Sequence, residues 1–250
     1  MQQEQHSTQD STPSTVLFGV QETAPAERTP EPAPALTPAP TPEPDPYVDG
    51  MERTEYADGF YYVALNDALR ERITGLSYPK DGTNGRITYD DLRYCRVRYV
   101  DFEGAEHVGE VMVNSRVADD ILEIFHALYE ARYPLTSVLL VDDFGASDDD
   151  SMAANNCSAF NYRFVPDTTH LSLHSFGTAI DINPMLNPYV RGDNVTPPNG
   201  IPYVDRSLDF PGKIDEHDLC FRLFTERGWS WGGYFRESKD YQHFSKDLGY

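Results

Sequence analysis

The stretch "TPEPAPALTPAPTPEPDP", residues 29–46, restricts the folding problem before any motif is considered. Proline locks φ, withholds an amide donor and is excluded from helix interiors and central strands. Nine of the 19 prolines lie between Pro25 and Pro46, alternating with small or acidic residues that have little to bury. Such a composition cannot offset its ordering entropy, so residues 1–50 read as a disordered, acidic, proline-rich linker. Residues 51–250 then form one domain, long enough to bury a substantial core.

Charge narrows the partners. The formal net charge is −21, and the first 50 residues hold eight acidic residues against one arginine, so the domain keeps most of the excess. A surface this acidic repels phosphate backbones, and there is no basic stripe, which argues against nucleic acid. No apolar run approaches the ~20 residues of a membrane span. The apolar patch "VLFGV" (16–20) is too short for a signal-peptide core, so no export signal is visible. Cys95, Cys157 and Cys220 are odd in number and at no metal-site spacing. They read as buried free thiols, with one bridge left open. We expect a monomer.

Periodicity supplies the elements. Residues 59–73, "GFYYVALNDALRERI", space their apolar positions as an amphipathic helix that ends near Gly75. "LRYCRVRYVDFEGAEHVGEVMVN" (92–114) alternates, with Cys95, Val97 and Tyr99 on one face and Arg96 and Arg98 on the other, as a β-hairpin does. Residues 115–132 predict a helix capped by Ser115, with Val117, Ile121, Ile124, Phe125 and Leu128 inward. "LTSVLLVDDF" predicts a short buried strand and "GASDDDSMAANN" a solvated acidic loop that lacks the ligand spacing of a calcium loop. The order predicts an α+β domain.

The chemistry concentrates in "SLHSFGTAIDINP" (172–184). "TAIDIN" alternates, so Asp181 leaves a strand opposite Ile180 and Ile182, while Gly177 lets His174 fold back over that face. Near the C-terminus, "WSWGGYFRESKDYQHF" (229–244) offers two tryptophans on one strand face, a Gly-Gly pair and an Asp240-x-x-His243 pair. His174, Asp181 and His243 make the two-histidine, one-carboxylate set of a catalytic zinc with an open fourth position. Asp240 is the spare carboxylate that such a site uses as general base. On residue chemistry alone, a turn histidine and a capping aspartate account for the first motif equally well.

Ser172, His174, Gly177, Ala179 and Asp181 match S-x-H-x-x-G-x-A-x-D, and this resembles the zinc motif of the VanY-type D-alanyl-D-alanine carboxypeptidases and L-alanyl-D-glutamate endopeptidases. The "WSWGGYFRESKDYQHF" block resembles the family's second motif, and "NNCSAFNYR" its arginine-bearing segment. The resemblance, over roughly residues 87–250, implies a small antiparallel sheet that carries the zinc site, with flanking helices (hedgehog/DD-peptidase-like). It implies zinc on His174, Asp181 and His243, Asp240 as the catalytic carboxylate, and Arg163 as the residue that steadies the substrate carbonyl. Several family members have Glu where Asp240 stands, which leans toward the endopeptidase branch and leaves the D,D-carboxypeptidase open.

The implied substrate is the stem peptide of bacterial peptidoglycan, and the implied location is the cell envelope or the extracellular space. Hedgehog proteins carry related domains as signalling modules, so a non-catalytic, zinc-containing wall-binding domain is the rival. Among the remaining candidates, His170 reads as a loop-surface residue and Trp229 and Trp231 as packing behind the site. Tyr203 to Arg206 read as lining a substrate groove within a long Pro/Asn/Gly-rich loop.

Overall fold

The computed structural model of the chain describes residues 45–166 and 168–250, so the linker expected over 1–50 lies largely outside the described residues. Residues 45–50, inside that stretch, form a turn that packs on the domain. Asp45 pairs with Arg96 at 3.2 Å, and Tyr47 and Val48 lie against a buried apolar cluster.

The first layer is a four-stranded antiparallel meander of β1 (Arg53–Ala57), β2 (Phe60–Ala64), β3 (Leu92–Val100) and β4 (Glu106–Asn114). The helix expected over 59–73 is therefore split: "FYYVA" is strand β2, and only α1 (Asp67–Ile73) is helical. Aromatic and β-branched residues favour the pleated surface offered by β3. Asn66 then starts the helix afresh, its side chain accepting from the Leu69 amide at 2.9 Å. The β3–β4 hairpin runs in unbroken register from Leu92↔Asn114 to Val100↔Glu106, with Cys95, Val97 and Tyr99 buried on one face as their alternation predicts.

Helix α2 (Ala118–Glu130) buries Ile121, Ile124, Phe125 and Leu128 but starts later than expected, after Val117. Ser115 does not cap it: its amide donates to Asp91 O, and a tight turn closed by Val117 N to Asn114 O uses up residues 115–117. The expected strand over 135–144 shrinks to β5 (Ser137–Val138), followed by a 3₁₀ turn at Val141–Phe144. The expected acidic loop contains α3 (Asp148–Ala153), capped by Ser147, and ends in β6 (Asn156–Cys157), which pairs in parallel with β5.

The C-terminal half supplies two small sheets. In chain order these are β7 (Ala179–Asp181), β8 (Tyr189–Arg191), β9 (Asn194–Thr196), helix α4 (Leu219–Glu226), β10 (Ser230–Trp231), β11 (Lys239–Asp240) and β12 (His243–Ser245). One sheet has the order β10–β12–β7 and the other β11–β8–β9, both antiparallel. The architecture is α+β, with small antiparallel sheets and few helices.

The larger core lies between one face of the meander and α2 and α4, and takes in Ile180, Ile182, Phe244, Trp229 and Trp231 from the site strands. A second cluster fills the other face around α1. Both tryptophans are structural: the Trp229 indole donates to Asp120 and that of Trp231 to Tyr241 O, each at 2.9 Å. All three cysteines are free and buried.

Candidate metal centre

The motif at 172–181 folds as it does because each of its small or polar residues has one task. Ser172 caps a 3₁₀ turn at Leu173–Phe176, its hydroxyl accepting from the His174 amide at 3.3 Å. Gly177 ends the turn at φ +65°, and a Cβ there would lie 2.6 Å from the Asn114 amide nitrogen. Both the left-handed backbone and the close approach to β4 demand glycine. An extended segment runs alongside: Ser158 and Asp181 exchange both backbone hydrogen bonds, and Asn161 N donates to His174 O.

That segment also orients the first imidazole. Nδ1 of His174 lies 2.6 Å from the Ala159 carbonyl. A carbonyl only accepts, so Nδ1 carries the proton and Nε2 keeps its lone pair. Asp181 and His243 reach the same spot by strand register. They are direct partners across β7 and β12, and opposed residues of an antiparallel pair share a face.

Three donor atoms converge. His174 Nε2 lies 3.3 Å from Asp181 Oδ2 and 3.2 Å from His243 Nδ1, and His243 Nδ1 lies 3.2 Å from Asp181 Oδ1. All three residues are buried. Zinc bonds of about 2.0–2.1 Å in tetrahedral geometry space neighbouring ligand atoms about 3.3–3.4 Å apart, so this donor set fits the ion in both type and spacing. Burial works against a charged Asp181, yet the two histidines hold its carboxyl far below the usual range. Burial likewise opposes a charged His243, and Asp181 with Asp240 raises it nonetheless.

Asp240 arrives from the other small sheet, on β11. Gly232 makes room for it: a Cβ there would lie 2.5 Å from Asp240 O, 2.7 Å from Asp240 Cβ and 3.2 Å from His243 Cβ. Burial pushes the Asp240 carboxyl up to about 6, against the pull of His243. Its Oδ1 is buried with no partner among the described residues. A buried carboxylate oxygen without a hydrogen-bond partner is costly, so a water, an ion or a reaction partner is expected to meet it.

Arg163 lies alongside the motif, its main chain bonded to Ser172 and Ser175 on either side of His174: Arg163 N donates to Ser175 Oγ, and Arg163 O accepts from that hydroxyl and from Ser172 N. Its guanidinium pairs with Asp148 at 2.6 Å.

Asp148 is the residue that sequence reasoning missed. It hides among three consecutive aspartates of a stretch read as solvated, and nothing local marks which of them turns inward. Phe235 was missed too; it stands partly exposed at the rim, its ring centroid 6.1 Å from that of His243.

Two other sequence candidates lie elsewhere. His170 is exposed. Arg206 is occupied in bracing its loop, donating to the carbonyls of Leu186, Tyr203 and Ile214 and to Asn187 Oδ1. Tyr203 lines a separate apolar cavity of about 330 Å³ with Met185, Leu186 and Phe210, a space that none of the converging ligands borders. The groove expected at 203–206 is therefore a loop brace and a side cavity.

Residues 166–246 match the family model described as D-alanyl-D-alanine carboxypeptidase. That span holds His174, Asp181, Asp240 and His243, and it supports for these residues the VanY-type zinc peptidase family that the motifs resemble. For that span the match points to a peptidase. No curated protein and no solved structure matches the chain.

Proposed function

We propose that the protein is a zinc metallopeptidase that hydrolyses peptide bonds in the stem peptide of bacterial peptidoglycan, in the cell envelope or outside the cell. One observation carries the reading: Asp240, a half-buried aspartate with one buried and unpartnered carboxylate oxygen, stands beside the converging donors of His174, Asp181 and His243. On this reading the surrounding fold is hedgehog/DD-peptidase-like.

His174, Asp181 and His243 would hold the zinc, which when bound supplies a Lewis acid and hydroxide near neutral pH. The chain's own groups do the rest. Asp240 takes the proton of the attacking water and returns it to the leaving amine. Arg163 meets the carbonyl oxygen as negative charge develops on it. The Ala159 carbonyl keeps the His174 ring in one tautomer throughout. A cysteine nucleophile has no place here, because burial pushes the nearby Cys157 thiol up to about 12.

The rival is a zinc-containing recognition domain without catalysis, and such a domain has no use for a free carboxylate oxygen beside the ligands. Digestion of purified peptidoglycan, with the released termini identified by mass spectrometry, separates the two and tells an L-Ala-D-Glu endopeptidase from a D,D-carboxypeptidase. Asp240→Asn is expected to keep about one zinc per chain and to slow hydrolysis by roughly 10²–10⁴-fold. His174→Ala is expected to lose the metal. Parental rates from Asp240→Asn would remove Asp240 as the base, and a zinc-loaded parent that releases no termini would hand the case to the recognition domain.

A further inference from the structure

We infer that Asp148 is the positioning residue of Arg163: it holds the guanidinium at the edge of the metal centre and cancels its charge there. The inference rests on the peptidase reading above. Arg163 sits on an extended segment outside any helix or strand, so its backbone alone does not aim a side chain of that length. The aim comes from a charge-assisted contact of 2.6 Å with Asp148 Oδ2, from the first turn of α3. Asp149 and Asp150, next in the same turn, are exposed, whereas Asp148 packs inward.

Two features set this pair apart from an ordinary surface ion pair. Burial raises the Asp148 carboxyl, with Arg163 pulling the other way, and the charges of Asp181 and His174 both reach it. A partly buried pair of this kind adds little net stability over apolar packing, so its place beside the metal ligands asks for a different account. The second feature is electrostatic. A dication repels an arginine, and the Asp148–Arg163 pair together carries no net charge, so the guanidinium can stay beside the centre. Arg163 Nε is buried with no partner among the described residues, so the guanidinium keeps hydrogen-bonding capacity beyond its contact with Asp148.

The test is a double-mutant cycle with a synthetic stem peptide, with zinc content and thermal midpoint recorded for every variant. Asp148→Asn is expected to lower kcat on the order of 10²-fold, the scale of a misplaced catalytic group, with KM and zinc content close to the parent's. In an Arg163→Ala background the same change is expected to cost nothing more, because no guanidinium is left to aim. Asp148→Glu keeps the charge and is expected to recover part of the rate. Should Asp148→Asn fail to fold, Asp148→Glu replaces it in the cycle, with a smaller loss that again vanishes in the Arg163→Ala background. Losses that multiply in the double variant, or a parental rate from Asp148→Asn, overturn the pairing while a cleaving parent leaves the peptidase reading intact. A parent that releases no product overturns that reading, and the pairing with it.

Discussion

At Asp218 burial opposes the charge that the hydrogen bonds of the carboxylate favour. The carboxylate caps α4, accepting from the Cys220 amide at 2.8 Å, and it accepts from the Tyr133 hydroxyl at 3.2 Å. Burial nevertheless pushes its carboxyl up to about 6 from the ordinary 3.8. A group with a raised folded-state value binds its proton more tightly in the native protein. Its contribution is therefore complete below pH 3.8 and is lost as pH rises through about 6. Asparagine caps as well as aspartate and carries no charge to bury. Asp218→Asn is thus expected to raise the thermal midpoint at pH 8, with the gain shrinking toward pH 4.5. A gain independent of pH would refute the account.

The residue scale is also where sequence and structure part company. His174, Asp181, Asp240 and His243 could be singled out because the two short motifs that hold them resemble the family's; their spacing alone left a turn histidine and a capping aspartate equally open. Asp148 and Asp218 could not. What makes each of them matter is a partner far along the chain, Arg163 for one and Tyr133 for the other, and neither partnership leaves a trace in local spacing.

Among the elements, the turn at 173–177 bears the closest constraint. Gly177 meets β4 at a distance that no side chain tolerates and has a backbone angle that L-residues rarely adopt. Gly177→Ala is expected to destabilise the protein by about 1–3 kcal/mol and to weaken zinc retention, because His174 and Asp181 lie on either side of the shift. Denaturant midpoints and metal content, measured on one preparation, check both halves; unchanged values in both would sink the prediction. Long elements with a clean period, the β3–β4 hairpin and α2, could be read from the sequence. The segment 59–73 could not, since Phe60 and Val63 are spaced as on one helix face, whereas in β2 they leave on opposite faces into the two separate core clusters, and only pairing with β3 decides. Of the strands in the site sheets, β7 shows in the alternation of "TAIDIN", while the other two- and three-residue strands are too short to show a period. They exist because chain segments far apart in sequence pair there.

For the molecule as a whole, the metal is expected to act as a clamp. Its three ligands come from a turn, from β7 and from β12, and without a cation a buried carboxylate and two imidazoles face one another. A ligand that binds only the native state adds RT ln(1 + [L]/Kd), about 2.7 kcal/mol at a hundredfold excess over Kd. For a domain of this size that corresponds to a rise in midpoint of roughly 5–10 °C. Scanning calorimetry with a chelator, then with zinc restored, is expected to show that drop and its reversal. Identical midpoints would mean that the donors bind no stabilising ion.

The cross-strand match of Asp181 with His243 also sets a rule of parity. Along a strand, successive side chains leave on opposite faces, so sliding β12 by a single position would turn the His243 ring into the apolar interior and bring Phe244 out in its place. Tyr241 and Gln242, the two residues between Asp240 and His243, must satisfy two sheets at once. Removing or adding one residue there leaves either the acid or the imidazole facing the wrong way. Changes of length in this half of the chain are harmless only where they fall outside that four-residue step, for instance in the β8–β9 turn at Gly192.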